Sequence, residues 1–328
     1  MKLIIQIPCF NEAETLGVTL EALPRTVAGF DEVEWLIIDD GSTDDTVEVA
    51  KKWGVDHIVR CTKNQGLAKA FMAGLDASLK KNADVIVNTD ADNQYFAGDI
   101  PNLVKPVLEG RAEIVVGARP ISQIAHFSPL KKALQRIGSW VVRVVSKTDI
   151  PDAASGFRAL SRDAAMHLNV FNDYTYTLET IIQAGQKNMA ITWVPVKTNS
   201  DLRPSRLMKN IPSYIKRSAS TIMRIFVVYR PFRFFMTLGL ATFTFGLLLG
   251  ARFLYFFTIG QGAGKVQSLI LASVLLGIGF QTIVVAFLAD LLAVNRRLME
   301  EVQYRLKKNE GRVPEQGPQG IGMHRENM

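Results

Sequence analysis

The sequence predicts an α/β fold: a mostly parallel sheet with helices on both faces, followed by an amphipathic interfacial helix and two transmembrane helices. Short apolar runs alternate with helix-length segments from Leu3 to Val196, the pattern of strands joined by crossover helices. The runs are continuously apolar, as strands covered on both faces are. Phe234 to Ala251 carries no charge, Arg252 is the only charge before Ile259, and Val266 to Ala289 again carries none. Each stretch approaches or exceeds the roughly 20 residues needed to cross a hydrocarbon core.

The elements follow in order. Leu3 to Ile7 is a first strand, Pro8-Cys9-Phe10-Asn11-Glu12 a loop, and Ala13 to Val27 a helix. Trp35 to Asp40 is the second strand, with Gly41 to Asp45 as turn and helix start; Ser42 and Asp45 have capping-box spacing. His57 to Val59 is a third strand, and Asn64-Gln65-Gly66 leads into a helix from Leu67 to Leu79. Val85 to Val87 and Ala112 to Gly117 supply two more strands. Lys131 to Lys147 is a basic helix, Ser155-Gly156-Phe157-Arg158 a loop before a strand, Tyr174 to Gln186 a helix and Ile191 to Val196 the last strand. From Pro212 the pattern is amphipathic: Lys216, Arg217 and Arg224 share one face, Tyr214, Ile215, Ile222 and Phe226 the other. The tail from Asn309 is rich in Gly, Pro and Gln and is expected to be disordered.

The formal charge is +7 over 328 residues. The basic residues crowd the ends of the two spans, while the connecting loop offers only Lys265. The positive-inside rule then puts both termini in the cytoplasm, on the inner cell membrane of a multi-pass protein. No nucleic-acid partner is expected from this distribution. Cys9 and Cys61 fall in the cytoplasmic portion, so no disulfide is expected. The chain divides into a catalytic domain over 1–205, a juxtamembrane amphipathic region over 206–232, a two-helix hairpin over 233–290, and a C-terminal helix and tail over 291–328.

The chemistry gathers where strands end. Asp90 and Asp92 close the fourth strand; on extended backbone both face one side and can hold one hard cation. A polar turn would carry the same triplet. In parallel sheets, however, ligands bind beyond the carboxyl ends of the strands. Pro8, Asn11 and Glu12 follow strand one, Asp39 and Asp40 end strand two, and Arg119 ends strand five. A set this consistent favours a site. No Gly-x-Gly-x-x-Gly follows a strand, and Gly262-Ala263-Gly264-Lys265 lacks the Ser or Thr of a phosphate loop. The four histidines have no metal-ligand spacing.

Ile7-Pro8-Cys9-Phe10-Asn11-Glu12, Asp39-Asp40-Gly41-Ser42-Thr43-Asp44, Asn64-Gln65-Gly66-Leu67-Ala68, Asp90-Ala91-Asp92-Asn93-Gln94 and Ser155-Gly156-Phe157-Arg158 together resemble the family-2 inverting glycosyltransferases of GT-A (Rossmann-like) fold. More narrowly they resemble the polyprenyl-phosphate subgroup, which includes dolichyl-phosphate mannose synthases and bactoprenol glucosyltransferases. The resemblance implies a nucleotide-sugar site of Pro8, Asn11, Glu12, Asp40, Asn64, Gly66, Lys69, Asp90 and Ala91. It implies Mg²⁺ or Mn²⁺ held by Asp90, Asp92 and Gln94, with Asp92 catalytic. Asp152 is expected as a base or an orienting carboxylate. Arg119, Lys132, Arg136, Arg203 and Arg206 are expected to bind the acceptor phosphate, arginine because its planar fork meets two oxygens at once. The Gln-x-x-Arg-Trp motif of processive members is absent. The expected activity is transfer of a hexose, glucose from UDP-glucose, onto undecaprenyl phosphate. The alternatives are a GDP-mannose-dependent mannosyltransferase and a non-catalytic nucleotide-sugar-binding membrane scaffold. A homo-oligomer, with a tetramer as one arrangement, is implied by the same resemblance.

Overall fold

The computed structural model describes residues 1–120, 129–170, 176–200, 220, 223–224, 227–261 and 263–310, the side chains of 129–135, 263 and 310 excepted. It forms two compact units: Met1–Ser128, Ser146–Pro204 and Glu300–Met328 make the first, Pro129–Val145 and Ser205–Met299 the second.

The first unit is built on seven strands: β1 (Lys2–Cys9), β2 (Glu32–Asp39), β3 (His57–Arg60), β4 (Val85–Asn88), β5 (Ile114–Ala118), β6 (Arg158–Ser161) and β7 (Ile191–Pro195). Their order in the sheet is β3-β2-β1-β4-β6-β5-β7. All neighbouring pairs are parallel except those of β6, which runs antiparallel to β4 and to β5. The helices are α1 (Ala13–Ala22), α2 (Thr46–Lys52), α3 (Leu67–Lys80), α4 (Ile100–Leu108), α6 (Arg162–His167) and α7 (Thr177–Gln186). Alternation along β1 explains why the sheet needs cover on both sides. Leu3, Ile5 and Ile7 enter one core with Leu16 and Leu20 of α1 and Leu103 of α4, while Ile4 enters the other with Phe71 and Leu75 of α3 and Ala164 of α6.

Helix α5 (Pro129–Ser146) lies almost wholly in the second unit, with α8 (Pro231–Thr258) and the greater part of α9 (Val266–Glu310). Both α8 and α9 are long and apolar enough to cross a membrane, and only 11% and 17% of their apolar windows are buried within the chain. Side chains that apolar and uncovered require lipid or another protein around them. The two helices meet through small residues: a side chain on Gly239 would strike the Ile283 backbone, and one on Gly279 the Phe243 backbone. The last turns of α9, from Glu300, belong to the first unit. There Tyr304 stacks on His167 with centroids 3.7 Å apart and donates to Asp163, while Lys187 pairs with Glu300 at 3.1 Å and Lys307 with Asp76 at 2.9 Å.

Three expectations are corrected in detail. Helix α1 stops at Ala22 rather than Val27, because Leu23 turns extended (φ −75°, ψ 135°) ahead of Pro24. The Ser42–Asp45 capping box does not form: Asp45 caps α2 without a side-chain bond, Asp44 takes the Thr46 N–H at 3.1 Å, and Ser42 Oγ accepts from the Asn11 N–H instead. The fifth strand begins at Ile114, two residues later than expected, and runs on to Ala118. The amphipathic segment from Pro212 falls mainly outside the described residues, as does the tail beyond 310.

Candidate active site

The carboxyl ends of β1, β2 and β4 lie side by side in the sheet, so their loops share one edge. Asn11 takes a left-handed conformation (φ 54°) after β1, and its Oδ1 accepts the Thr43 N–H at 2.8 Å. The neighbouring Glu12 N–H reaches Thr46 Oγ1 at 2.9 Å. These bonds lace the first loop to the second. Asp40 does the same for the third: its two oxygens accept the Gln65 and Gly66 N–H groups, each at 2.8 Å. The approach is close enough that Gly41 must be glycine, since a Cβ would lie 2.6 Å from the Lys63 carbonyl carbon, and its φ is +73°. Asn64 and Lys69 are exposed on this rim, and Gly66 caps α3 at φ 96°.

At the end of β4, Asn88 is fully buried, and it bonds Gln6, Gly156 and Tyr176. Asp90 differs from it: no hydrogen bond reaches its carboxylate among the described residues. Burial, and secondly the charge of Asp92, push its pKa up to about 7, with Arg119 and Arg158 pulling the other way. Asp92 uses one oxygen to accept the Gln94 N–H at 3.2 Å, an Asx turn that shapes the loop. Ala91 is buried and its carbonyl accepts from Thr19 at 2.8 Å. Asn199 ties the loop down from β7's side, donating to Asn93 O at 2.9 Å and Tyr95 O at 3.2 Å.

Beyond β5, Arg119 and Asp152 form a buried ion pair. Arg119 Nε meets Asp152 Oδ2 at 2.7 Å and Nη2 meets Oδ1 at 3.2 Å, with Nη1 3.4 Å from Gln94 Oε1. Burial works against the Arg119 charge, but Tyr95, Asp152 and Asp90 more than offset it and keep the guanidinium protonated. Of the two readings of Asp152, base or orienting carboxylate, the geometry bears most directly on the second: both of its oxygens face the Arg119 guanidinium. Arg119 in turn already spends three nitrogens within the protein, leaving a phosphate only its outward N–H groups.

A hard divalent cation fits this edge. Two carboxylates stand one residue apart, one of them with oxygens that no donor among the described residues satisfies, and uncompensated charge is what a cation relieves. Among the described residues no three His, Cys, Asp or Glu side chains converge. The protein offers a pair of carboxylates and the Gln94 amide, and the remaining positions would fall to ligand oxygens and water.

Pro8, Asn11, Glu12, Asp40, Asn64, Gly66, Lys69, Asp90, Ala91, Asp92, Gln94, Arg119 and Asp152 all belong to the first unit, whereas Arg136 is an exposed residue of α5 in the second. Lys132 is in α5 with its side chain outside the described residues, and Arg203 and Arg206 lie outside them altogether. Sequence reasoning missed Asn88, Tyr95, Tyr176 and Asn199, and assigned no role to Arg158. Arg158 is fully buried and donates to Ser155 O at 2.9 Å, Ala153 O at 3.1 Å and Thr180. Burial lowers its pKa, while Tyr176, Tyr95, Asp152 and Asp90 oppose that loss.

A relative from Micrococcus luteus, named undecaprenyl-phosphate mannosyltransferase, is 27% identical over 206 residues, covering 60% of this chain and 83% of that one. A second, from Methanococcus voltae and named UDP-N-acetylglucosamine–dolichyl-phosphate N-acetylglucosaminyltransferase, is 27% identical over 58% of this chain and 83% of its own. The fold is shared with the crystal structure of glucosyl-3-phosphoglycerate synthase from Mycobacterium tuberculosis in complex with Mn²⁺, UDP-glucose and phosphoglyceric acid. That likeness has a TM-score of 0.55 and 19% identity, over 69% of this chain and 78% of the other. The model of glycosyl transferase family 2 matches residues 4–168, which take in most of β1, all of β2 to β6 and both carboxylates of the candidate site, and the chain belongs to that family.

Proposed function

We propose that the protein is an inverting glycosyltransferase that moves a hexose from a nucleoside diphosphate sugar onto a polyprenyl phosphate at the cytoplasmic face of a membrane. The observation that carries this reading is Asp90 with Asp92 at the sheet edge, between the laced loops of β1 and β2 and the Arg119–Asp152 pair, in a chain with two helices of membrane length. The names of the Micrococcus and Methanococcus relatives support a lipid phosphate as acceptor. The basic ends of α8 and α9 support cytoplasmic termini.

Pro8, Asn11, Glu12, Asp40, Asn64, Gly66 and Lys69 would cradle the nucleotide end of the donor. Asp90, Asp92 and Gln94 would hold Mg²⁺ or Mn²⁺, which supplies Lewis-acid neutralisation of the leaving diphosphate. A phosphate monoester is largely dianionic at neutral pH, its second pKa being about 6. Its oxygen therefore attacks the anomeric carbon without a strong base, the bond to the diphosphate breaks with its electron pair, and the configuration inverts. Arg119, held by Asp152, would steady that phosphate, and Lys132, Arg136, Arg203 and Arg206 are proposed from the sequence alone as phosphate ligands.

Glucose from UDP-glucose is the donor we propose, on the two-span C-terminus. GDP-mannose is a second reading, favoured by the name of the Micrococcus relative. Membranes carrying the chain, given labelled UDP-glucose, GDP-mannose or UDP-N-acetylglucosamine with undecaprenyl phosphate, with and without EDTA, decide among them. Label should enter the lipid fraction from one donor only, be lost with EDTA, and be lost in Asp92→Ala. Asp92→Ala at parent activity in metal-defined buffer removes the metal assignment, and no lipid label from any donor removes the acceptor.

A further inference from the structure

The Ser155-Gly156-Phe157-Arg158 segment has a tighter relation to the cation site than its motif reveals. Asp90 has no hydrogen-bond donor among the described residues, so its orientation is left to the field of Arg119 and Arg158 and to the space around it. The residue that stands beside that carboxylate is Gly156. A Cβ built there would lie 3.0 Å from Asp90 Oδ1 and 3.2 Å from Oδ2, with the Tyr176 hydroxyl at 2.8 Å. Gly156 is not among the glycines with positive φ, so its backbone conformation does not demand glycine; the space beside Asp90 does.

The peptide groups on either side of this Cα are fixed. The Gly156 N–H donates to the Tyr95 hydroxyl at 2.9 Å, and the Gly156 carbonyl accepts from Asn88 Nδ2 at 2.8 Å and from the Tyr176 hydroxyl at 3.3 Å. The tyrosines cannot drift, being buried at 3% and 0% exposure, with Tyr176 stacked on Phe71 at 3.9 Å and Tyr95 on Phe157 at 5.0 Å. Asn88 precedes Asp90 by two residues and Tyr95 follows Asp92 by three. The loop that bears both carboxylates is thus fastened at its two ends to one glycine.

We propose that Gly156 is the rest against which Asp90 is oriented toward a divalent cation, and that Asn88, Tyr95 and Tyr176 are positioning residues because they pin it. The inference rests on the metal reading above and goes beyond it in assigning residues outside the set that would hold the cation. Such outer partners govern metal affinity through the geometry of the ligands they hold, a loss of about 10- to 100-fold being usual when they are removed.

The test is Mn²⁺ binding, read from the electron paramagnetic resonance signal of free ion, by the purified full chain with UDP and, separately, GDP. Gly156→Ala should weaken Mn²⁺ binding about tenfold or more, and Tyr176→Phe should weaken it in the same direction but less. Nucleotide affinity in EDTA should stay at the parent value in both. A Gly156→Ala protein with the parent's thermal transition and the parent's Mn²⁺ affinity overturns the proposal. If Gly156→Ala does not fold, Tyr176→Phe decides, and an unchanged Mn²⁺ affinity there overturns it. Asp92→Ala separates the two levels: binding lost there but kept in Gly156→Ala sinks the positioning role alone, whereas a parent chain that binds no Mn²⁺ sinks the metal reading and this inference together.

Discussion

Removing the Asp152 carboxylate strands a guanidinium where water hardly reaches. The side chains of Arg119 and Asp152 are 7% and 1% exposed, which puts the pair among buried ion pairs rather than surface ones. Deleting one partner of such a pair costs about 3–5 kcal/mol, because the survivor is left charged and desolvated. At about 2–4 °C per kcal/mol for a unit of this size, Asp152→Ala should lower the unfolding temperature by about 6–20 °C. Replacing both partners by apolar residues of similar volume is about neutral. The double variant Arg119→Met with Asp152→Leu should therefore regain most of the lost stability while transferring no sugar. Tryptophan fluorescence during heating of the detergent-solubilised full chain reads the first, and label transfer to lipid phosphate the second. A double variant as unstable as Asp152→Ala refutes the buried-charge reasoning. A double variant with full activity refutes a role for Arg119 at the acceptor.

Asp90 makes the cation site pH-sensitive. Its pKa is raised from 3.8 to about 7, so in metal-free protein its contribution is fully present below the unfolded value and is lost as pH rises through about 7. Melting temperature in EDTA should fall over that window, and the gain from adding Mn²⁺ should grow across it; a Mn²⁺ gain that is flat with pH contradicts the assignment. Gly41→Ala must adopt φ +73° and place a Cβ 2.6 Å from backbone, which costs about 2–5 kcal/mol from strain and overpacking. Calorimetry of UDP binding should show weaker affinity for this variant, and parent-like stability would show that the 63–66 loop yields easily. Tyr304→Ala removes the stack on His167 and the bond to Asp163, worth about 1–3 kcal/mol. Thermal melting of the first unit reports it, and no change would mean the end of α9 adds nothing to that unit's stability.

Much of this arrangement is written locally in the chain. Apolar runs such as Leu3 to Ile7, broken only by Gln6, read as strands covered on both faces, and charge-free runs such as Val266 to Ala289 are long and apolar enough to cross a membrane. Polar residues at the ends of those runs point to one sheet edge because parallel strands place all their carboxyl ends together. By these rules Asp90, Asp92, Asp40 and Asn11 are legible as candidate site residues without coordinates. The end of α1 was legible too, in Pro24, and the capping box at Ser42 misled because its hydroxyl is claimed by Asn11, 31 residues away.

What the sequence determined by itself is the sheet class, the two helices long and apolar enough to cross a membrane and the identity of the edge that carries the carboxylates, since each depends on the period and polarity of neighbouring residues. Only the tertiary structure decided that β6 runs backwards between β4 and β5. It alone decided that Asp152 is the partner of Arg119, and that Gly156 stands against Asp90 with Tyr176 behind it. These meetings join residues 20 to 66 positions apart, and no local pattern encodes which of many buried groups will meet. Burial makes each such group find a partner; the fold chooses which one.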